Sequence, residues 1–325
     1  VTSGAPSASP YIMGDEATDF DGFFAREIAP WLEEEEQQRR VLAAKVARRW
    51  WVTGGVTALI CVLMLGFLKI SLGFFIFVAA AGFVIGGMLG YPLFVWSDTF
   101  NETLAQRVFG HFGYQYQAKL PYAFLEQFER LGILPSFTRH DLSDQVQGRL
   151  DNVDFCIGEA LLHRRSKNKK SDTETVVFHG LLARVDVAKP FESRTLIVAD
   201  RGSVRHFVEG IFGNDRHVQL EDPRFEAVFD VTSSDQIEAR YLLTPAFMER
   251  MLALKARVDG SLCAAFDRGH LWLAVDGGRD YFPKYSMWAD ARDPDQARKL
   301  VPRSGVQFRS SDSAQVNKRN VCCAD

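Results

Sequence analysis

Two runs, WWVTGGVTALICVLMLGFL at Trp50–Leu68 and FFIFVAAAGFVIGGMLGYPLFVW at Phe74–Trp96, decide how the rest of this sequence is read. From Trp50 to Ser97 there are 48 residues, and Lys69 is their single formal charge. A spanning helix needs about 20 apolar residues at about 1.5 Å each, so the stretch has room for two. The segment Lys69-Ile70-Ser71-Leu72-Gly73 supplies the turn between them. Trp50, Trp51, Tyr91 and Trp96 stand at the ends, where amphipathic rings suit the headgroup region. A buried soluble hairpin is disfavoured, since neither helix offers a polar face to water.

Outside this hairpin the other 277 residues hold 78 of the 79 charged side chains, about 28%, which is the composition of soluble protein. The net charge of -3 excludes a strongly basic nucleic-acid binder, and the 5 cysteines are too few for a disulfide scaffold. Arg39, Arg40, Lys45, Arg48 and Arg49 precede the first span, whereas the turn carries Lys69 alone. The positive-inside rule therefore puts both termini and the main domain in the cytoplasm. There Cys156 and Cys263 are expected as reduced thiols. No signal peptide is expected, because mostly polar sequence precedes the apolar run.

Gly82, Gly86 and Gly90 recur every four residues on the second span and share one helix face. They predict close helix packing in the membrane, either on the first span, with its Gly54, Gly55 and Gly66, or on another chain. Pro92 predicts a bend near the interface.

The predicted organisation runs in six parts. Residues 1–18 are a disordered Ser/Ala/Pro/Gly-rich terminus, and residues 19–49 a cytosolic helical segment. In the latter, Asp19 caps a short helix carrying Phe20, Phe23, Phe24 and Ile28, ended near Pro30, and Trp31 opens a polar helix running towards the span. Glu35 with Arg39 and Glu36 with Arg40 form i,i+4 pairs on it. Residues 50–97 are the hairpin and residues 98–150 a helical connector, including a short amphipathic helix at Pro121–Leu131 that stops at Gly132. Residues 151–301 form a cytosolic mixed domain, and the tail 302–325 is polar and disordered.

In that domain Val153–Leu162 and Thr173–Val187 read as strands joined by the polar tip His163–Asp172, with Val177, Leu181, Ala183, Val185 and Val187 on one side. Arg194–Ala199 and His217–Leu220 are further strands. Asp222-Pro223 opens a short helix, Asp235 with Glu238 matches a capping box, and Thr244-Pro245 starts a helix with Phe247, Met251, Leu254 and Val258 on its buried face. Asp267-Arg268-Gly269 turns a closing hairpin. The expected fold class is α+β: a two-helix transmembrane hairpin plus a mixed domain of antiparallel sheet and flanking helices.

The stretches LEDPRFEAVFDV and QIEARYLLTPAFMERML, with VVFHGLLARVDVAKPFESRTLIV at Val176–Val198, resemble a bacterial family of membrane-anchored proteins classed as a domain of unknown function. The resemblance covers roughly Phe20 to Phe282 and implies two N-terminal spans, a cytosolic α+β domain and the inner membrane of a bacterium. It brings no catalytic residues.

No catalytic, metal or cofactor site is assigned, and no cofactor is expected. The seven histidines show no metal-ligand spacing, and no nucleophile elbow, P-loop or dinucleotide fingerprint is present. Glu221-Asp222 is read as helix capping in preference to paired acid and base. Arg164, Arg165, Lys167, Lys169 and Lys170 on the hairpin tip are candidate contacts for anionic lipid headgroups, against a plain solvated turn. Phe20, Phe23, Phe24 and Trp31 are candidate partner-binding residues. The expected function is a membrane-anchored, non-catalytic scaffold, adaptor or accessory subunit whose partners are the bilayer, other membrane proteins or a second copy, and no nucleic acid. The alternatives are a membrane-tethered enzyme with a dispersed site and an anionic-lipid surface sensor.

Overall fold

The computed structural model describes residues 22–63, 72–150, 152–168, 171–199, 216–258, 260–282, 284–286 and 290–292. Asp19, Phe20, Lys69, Lys169, Lys170, residues 1–18 and the tail 302–325 lie outside the described residues. The chain divides into two units, one of Val1–Arg107 with Lys284–Arg298 and one centred on Val108–Pro283.

The first unit is built on two long helices, α1 over Ala29–Leu63 and α2 over Leu72–His111. The predicted break at Pro30 does not occur. A π-turn at Phe24–Ile28, closed by the Ala29 N–H on the Phe24 carbonyl, leads straight into α1. The wider π-turn displaces the carbonyls that a proline ring would otherwise meet, so the helix passes through Pro30. α2 is continuous through Pro92 and begins at Leu72, inside the expected turn.

Both helices are long and apolar enough to cross a membrane, and only 6% of the apolar window of either is buried. Trp51 and Phe83 are each 84% exposed. Beyond the apolar segments the pair has its own small core, in which Ile28, Leu32, Leu93, Phe100 and Leu104 are almost fully buried.

The second unit is a nine-stranded antiparallel sheet: β1 Gln115–Gln117, β2 Arg139–Leu150, β3 Val153–Asn168, β4 Ser171–Asp186, β5 Thr195–Val198, β6 Arg216–His217, β7 Asp230–Ser233, β8 Leu262–Asp267 and β9 His270–Asp276, in the spatial order β1-β2-β3-β4-β9-β8-β5-β7-β6. Helix α3, Tyr122–Arg130, covers one face, where Leu125, Phe128 and Ile133 meet Leu162, Phe178, Leu182 and Trp272. Helices α4 (Pro223–Val228), α5 (Gln236–Leu242) and α6 (Pro245–Lys255) cover the other, where Phe225, Phe229, Leu242 and Met251 meet Leu181, Ala183, Ile197 and Leu273. With both faces covered, consecutive residues Leu181, Leu182 and Ala183 are all buried, each layer taking alternate positions. The fold is α+β, as the sequence predicts.

Several strand assignments depart from the sequence reading. β2 falls where a helical connector was expected, because RHDLSDQVQGRL is too polar to signal a strand, and a β-bulge between Ser143 and Val146 breaks its alternation. β3 and β4 also continue through most of the expected polar tip, where Arg165 pairs with Glu174 and Lys167 with Asp172 in register. In contrast, His217–Leu220 is strand only at its first residue. The β8–β9 turn holds Arg268 at φ 50° and Gly269 at φ 78°, the left-handed pair that a two-residue hairpin needs.

Asp222 caps α4 by accepting from the Arg224 N–H at 2.9 Å, and Thr244 caps α6 by accepting from the Phe247 N–H at 3.3 Å. Asp235 caps α5 at the Ile237 and Glu238 N–H groups. The return half of the expected capping box is absent. Glu238 instead accepts from the Glu192 and Ser193 N–H groups and so ties the β4–β5 connection to α5.

Candidate functional site

Among the glycines of the second span, a Cβ at Gly82 would lie 2.6 Å from the Thr57 hydroxyl, and one at Gly90 would lie 3.9 Å from the Trp50 ring. These two positions therefore face α1, and Gly82 allows a close approach that any side chain would block. A Cβ at Gly86 would meet nothing within 4 Å. One helical turn from Gly86, an apolar groove of about 320 Å³ opens between the helices, lined by Val46, Trp50, Gly87, Gly90, Tyr91, Leu93 and Phe94.

The aromatic N-terminal residues are largely used inside the first unit. Phe23 is buried, Phe24 is half-buried, and Trp31 stacks on Phe100 at 5.2 Å with the Arg107 guanidinium 4.9 Å above its ring. Phe100 also stacks on Trp96 at 5.0 Å and meets the edge of Tyr285 at 5.1 Å.

Tyr285 belongs to a segment that returns to the helix pair after the sheet is complete. The Asn101 side-chain amide reads its backbone twice, accepting from the Tyr285 N–H at 2.6 Å and donating to the Tyr285 carbonyl at 3.3 Å. Further along, the Ala291 N–H donates to Glu36 Oε2 at 3.0 Å. Glu36 is 2% exposed and also accepts from Arg39 and Arg40 at 2.7–2.8 Å. The Arg39 hydrogen bonds, helped by the Ala291 N–H and Arg40, outweigh burial and hold its carboxyl down at about 2. Of the two expected i,i+4 pairs, Glu36–Arg40 forms, but Arg39 turns to Glu36, and Glu35 instead accepts from the Trp96 indole N–H at 3.0 Å.

The sheet carries a second enclosed carboxylate that sequence reading did not single out. Glu159, in the middle of β3, is 5% exposed, and its Oε1 lies 3.2 Å from His179 Nε2 on β4. The β2 bulge turns Asp144 into the same neighbourhood, with φ at 55° and a hydrogen bond from the Tyr116 hydroxyl. Asp280 approaches from the turn after β9. Burial first, then the charges of Asp280 and Asp144, push the Glu159 carboxyl up to about 8, against the Tyr281 backbone N–H. The result is a carboxyl held well above the usual carboxylate range beside an imidazole. The available signal was a lone charge inside the apolar stretch FCIGEALL.

The remaining chemistry is modest. Among the described residues no group of three or more His, Cys, Asp or Glu is arranged to hold a metal ion. Cys156 and Cys263 are buried cysteines, and burial raises the Cys156 thiol. Asp222 pairs with Arg224 at 3.0 Å beside its capping role. On the β3–β4 hairpin Arg164 donates to the Ser136 carbonyl at 2.8 Å. The backbone N–H of Arg165 donates to the Thr138 hydroxyl at 2.8 Å. The Lys167 side chain, with Lys169 and Lys170, lies outside the described residues.

Comparison with known proteins finds a family model over part of the chain and a distantly similar structure. No curated protein matches the chain. The crystal structure of the mycobacterial trehalose monomycolate transport factor A, TtfA, is similar over 62% of this chain and 92% of that one, at 8% identity and a TM-score of 0.31. Residues 176–303, from β4 through the returning segment, match the family described as protein of unknown function (DUF3137).

Proposed function

We propose that this chain is a membrane-anchored, non-catalytic scaffold, adaptor or accessory subunit of a bacterial inner membrane, with both ends and the sheet unit on the cytoplasmic side. The observation that carries the reading is the nearly complete exposure of two long apolar helices, a surface that only lipid or other helices can cover. The cytoplasmic assignment rests on the basic flank Arg39 to Arg49 against the lone Lys69. Partner contact is supported on the sheet unit by Ile237 and Tyr241, one turn apart on α5 and 80% and 45% exposed. Alkaline extraction of membranes tests the anchor: the chain should remain with the pellet. Blue-native electrophoresis after mild solubilisation tests the contact. A complex that shrinks on Ile237→Glu is expected, and migration as a monomer in every mild detergent overturns it.

A second reading, a membrane-tethered enzyme using proton transfer, is favoured by the Glu159–His179 pair. It requires a substrate that protects both residues from chemical modification. If no ligand changes the titration of Glu159, that reading fails.

A further inference from the structure

We propose that the groove between α1 and α2 at Trp50 and Gly90 binds one anionic phospholipid, an assignment that rests on the reading of these helices as membrane spans. The groove is apolar, with a volume of about 320 Å³, and it lies at the aromatic end of the pair, where Trp50, Tyr91 and Trp96 mark the headgroup level. Its floor is open because two glycines supply it: a Cβ at Gly87 would meet nothing within 4 Å. An acyl chain lying there covers Trp50, Tyr91 and Phe94, and the glycines leave it room to approach the helix backbone.

The charge around the groove selects the headgroup. Lys45 and Arg49 are four residues apart, as are the lining residues Val46 and Trp50, so the two pairs form neighbouring rows about 100° apart around α1. Arg48 adds a third cation. All three are exposed, and among the described residues none has an ion-pair partner. The facing stretch of α2, Tyr91–Ser97, carries no charge to neutralise them. Three unpaired cations at the headgroup level above an apolar slot complement a phosphate with an attached chain, where a zwitterionic lipid would bring its own cation. The lipid site thus falls beside the spans.

Native mass spectrometry of the full chain in mild detergent, with phosphatidylglycerol or phosphatidylcholine added, tests the assignment. One phosphatidylglycerol should be retained in preference to phosphatidylcholine. Lys45→Gln with Arg49→Gln should weaken that retention about tenfold. Gly87→Leu, which fills the groove without changing charge, should weaken it by a similar factor, with thermal melting unchanged as a control for folding. Equal retention of the two lipids overturns the proposal, as does full retention by Gly87→Leu or a dimer that Gly87→Leu abolishes. Alkaline extraction separates the two readings: release of the wild-type chain defeats the anchor, whereas a chain that stays in the pellet yet retains no phosphatidylglycerol defeats the lipid site alone.

Discussion

Glu36 on the helix pair and Glu159 in the sheet are both almost wholly removed from water, at 2% and 5% exposure, yet their carboxyls move in opposite directions, to about 2 and about 8. Burial penalises the charge at both sites. What differs is the company. Glu36 receives two guanidinium groups and a backbone N–H, enough donors to replace its hydration. Glu159 has a histidine on one oxygen and two further carboxylates nearby, so shedding its charge costs less than keeping it. A buried acid is therefore a fastening in one unit and a proton store in the other, and neighbours decide which.

The sharpest way to break this contrast is Glu36→Ala. It leaves Arg39 and the Ala291 N–H without their acceptor and should cost about 4 kcal/mol, seen as a lower melting temperature and much faster hydrogen exchange at Ala291. Wild-type exchange at Ala291 after this change would show that the carboxylate fastens nothing. The pH dependence follows the depressed carboxyl: its stabilisation is full above about 4.5 and is lost as pH falls towards about 2.

Glu159→Gln should act in the opposite sense and somewhat less strongly. The raised carboxyl costs nothing below about 4.5; the cost grows between there and about 8 and is level above that. The amide should therefore stabilise the protein by about 2–3 kcal/mol at pH 9 and make no difference at pH 4. Destabilisation at pH 9 in denaturant unfolding would mean that burial and the neighbouring carboxylates do not penalise the Glu159 charge.

Asn101→Ala removes both hydrogen bonds to the Tyr285 backbone and should cost about 1.5 kcal/mol, with faster exchange at Tyr285 and Ala291 together. Exchange at Tyr285 alone would make the two attachments independent. The smallest effect expected is from Arg40→Ala. That side chain is 60% exposed, so its bond to Glu36 is weakened by solvent and its loss should cost about 0.5 kcal/mol or less. A loss as large as that from Glu36→Ala would shift the contrast from Arg39 to Arg40.

The sequence spoke clearly where its periodicity was strong. Two apolar helices, the helix at Pro121–Leu131, the caps at Asp222, Asp235 and Thr244 and the β8–β9 hairpin follow from pattern and turn chemistry alone. β2 stayed hidden because edge-side polar residues and a bulge erase alternation, and Pro30 misled because a π-turn relieved it. Neither buried carboxylate was legible as such. Glu36 read as one of several surface glutamates, since the group that closes over it lies 255 residues away along the chain. Glu159 gave a faint sign, a single charge in an apolar strand, but its meaning depends on Asp144, His179 and Asp280 arriving from three other segments.

That separation of 255 residues has a consequence for how the molecule is made. At about 5–20 residues per second, a ribosome takes roughly 13–50 s to reach Ala291 after releasing Glu36. Once α2 has followed, the helix pair exists in sequence for the rest of that interval, but its closing segment does not. Arg39 and Arg40, synthesised within four residues of Glu36, are in place from the first second to occupy the carboxylate. The local ion pairs thus serve as a temporary escort during synthesis, and the last attachment of the first unit forms only after the whole sheet has been translated.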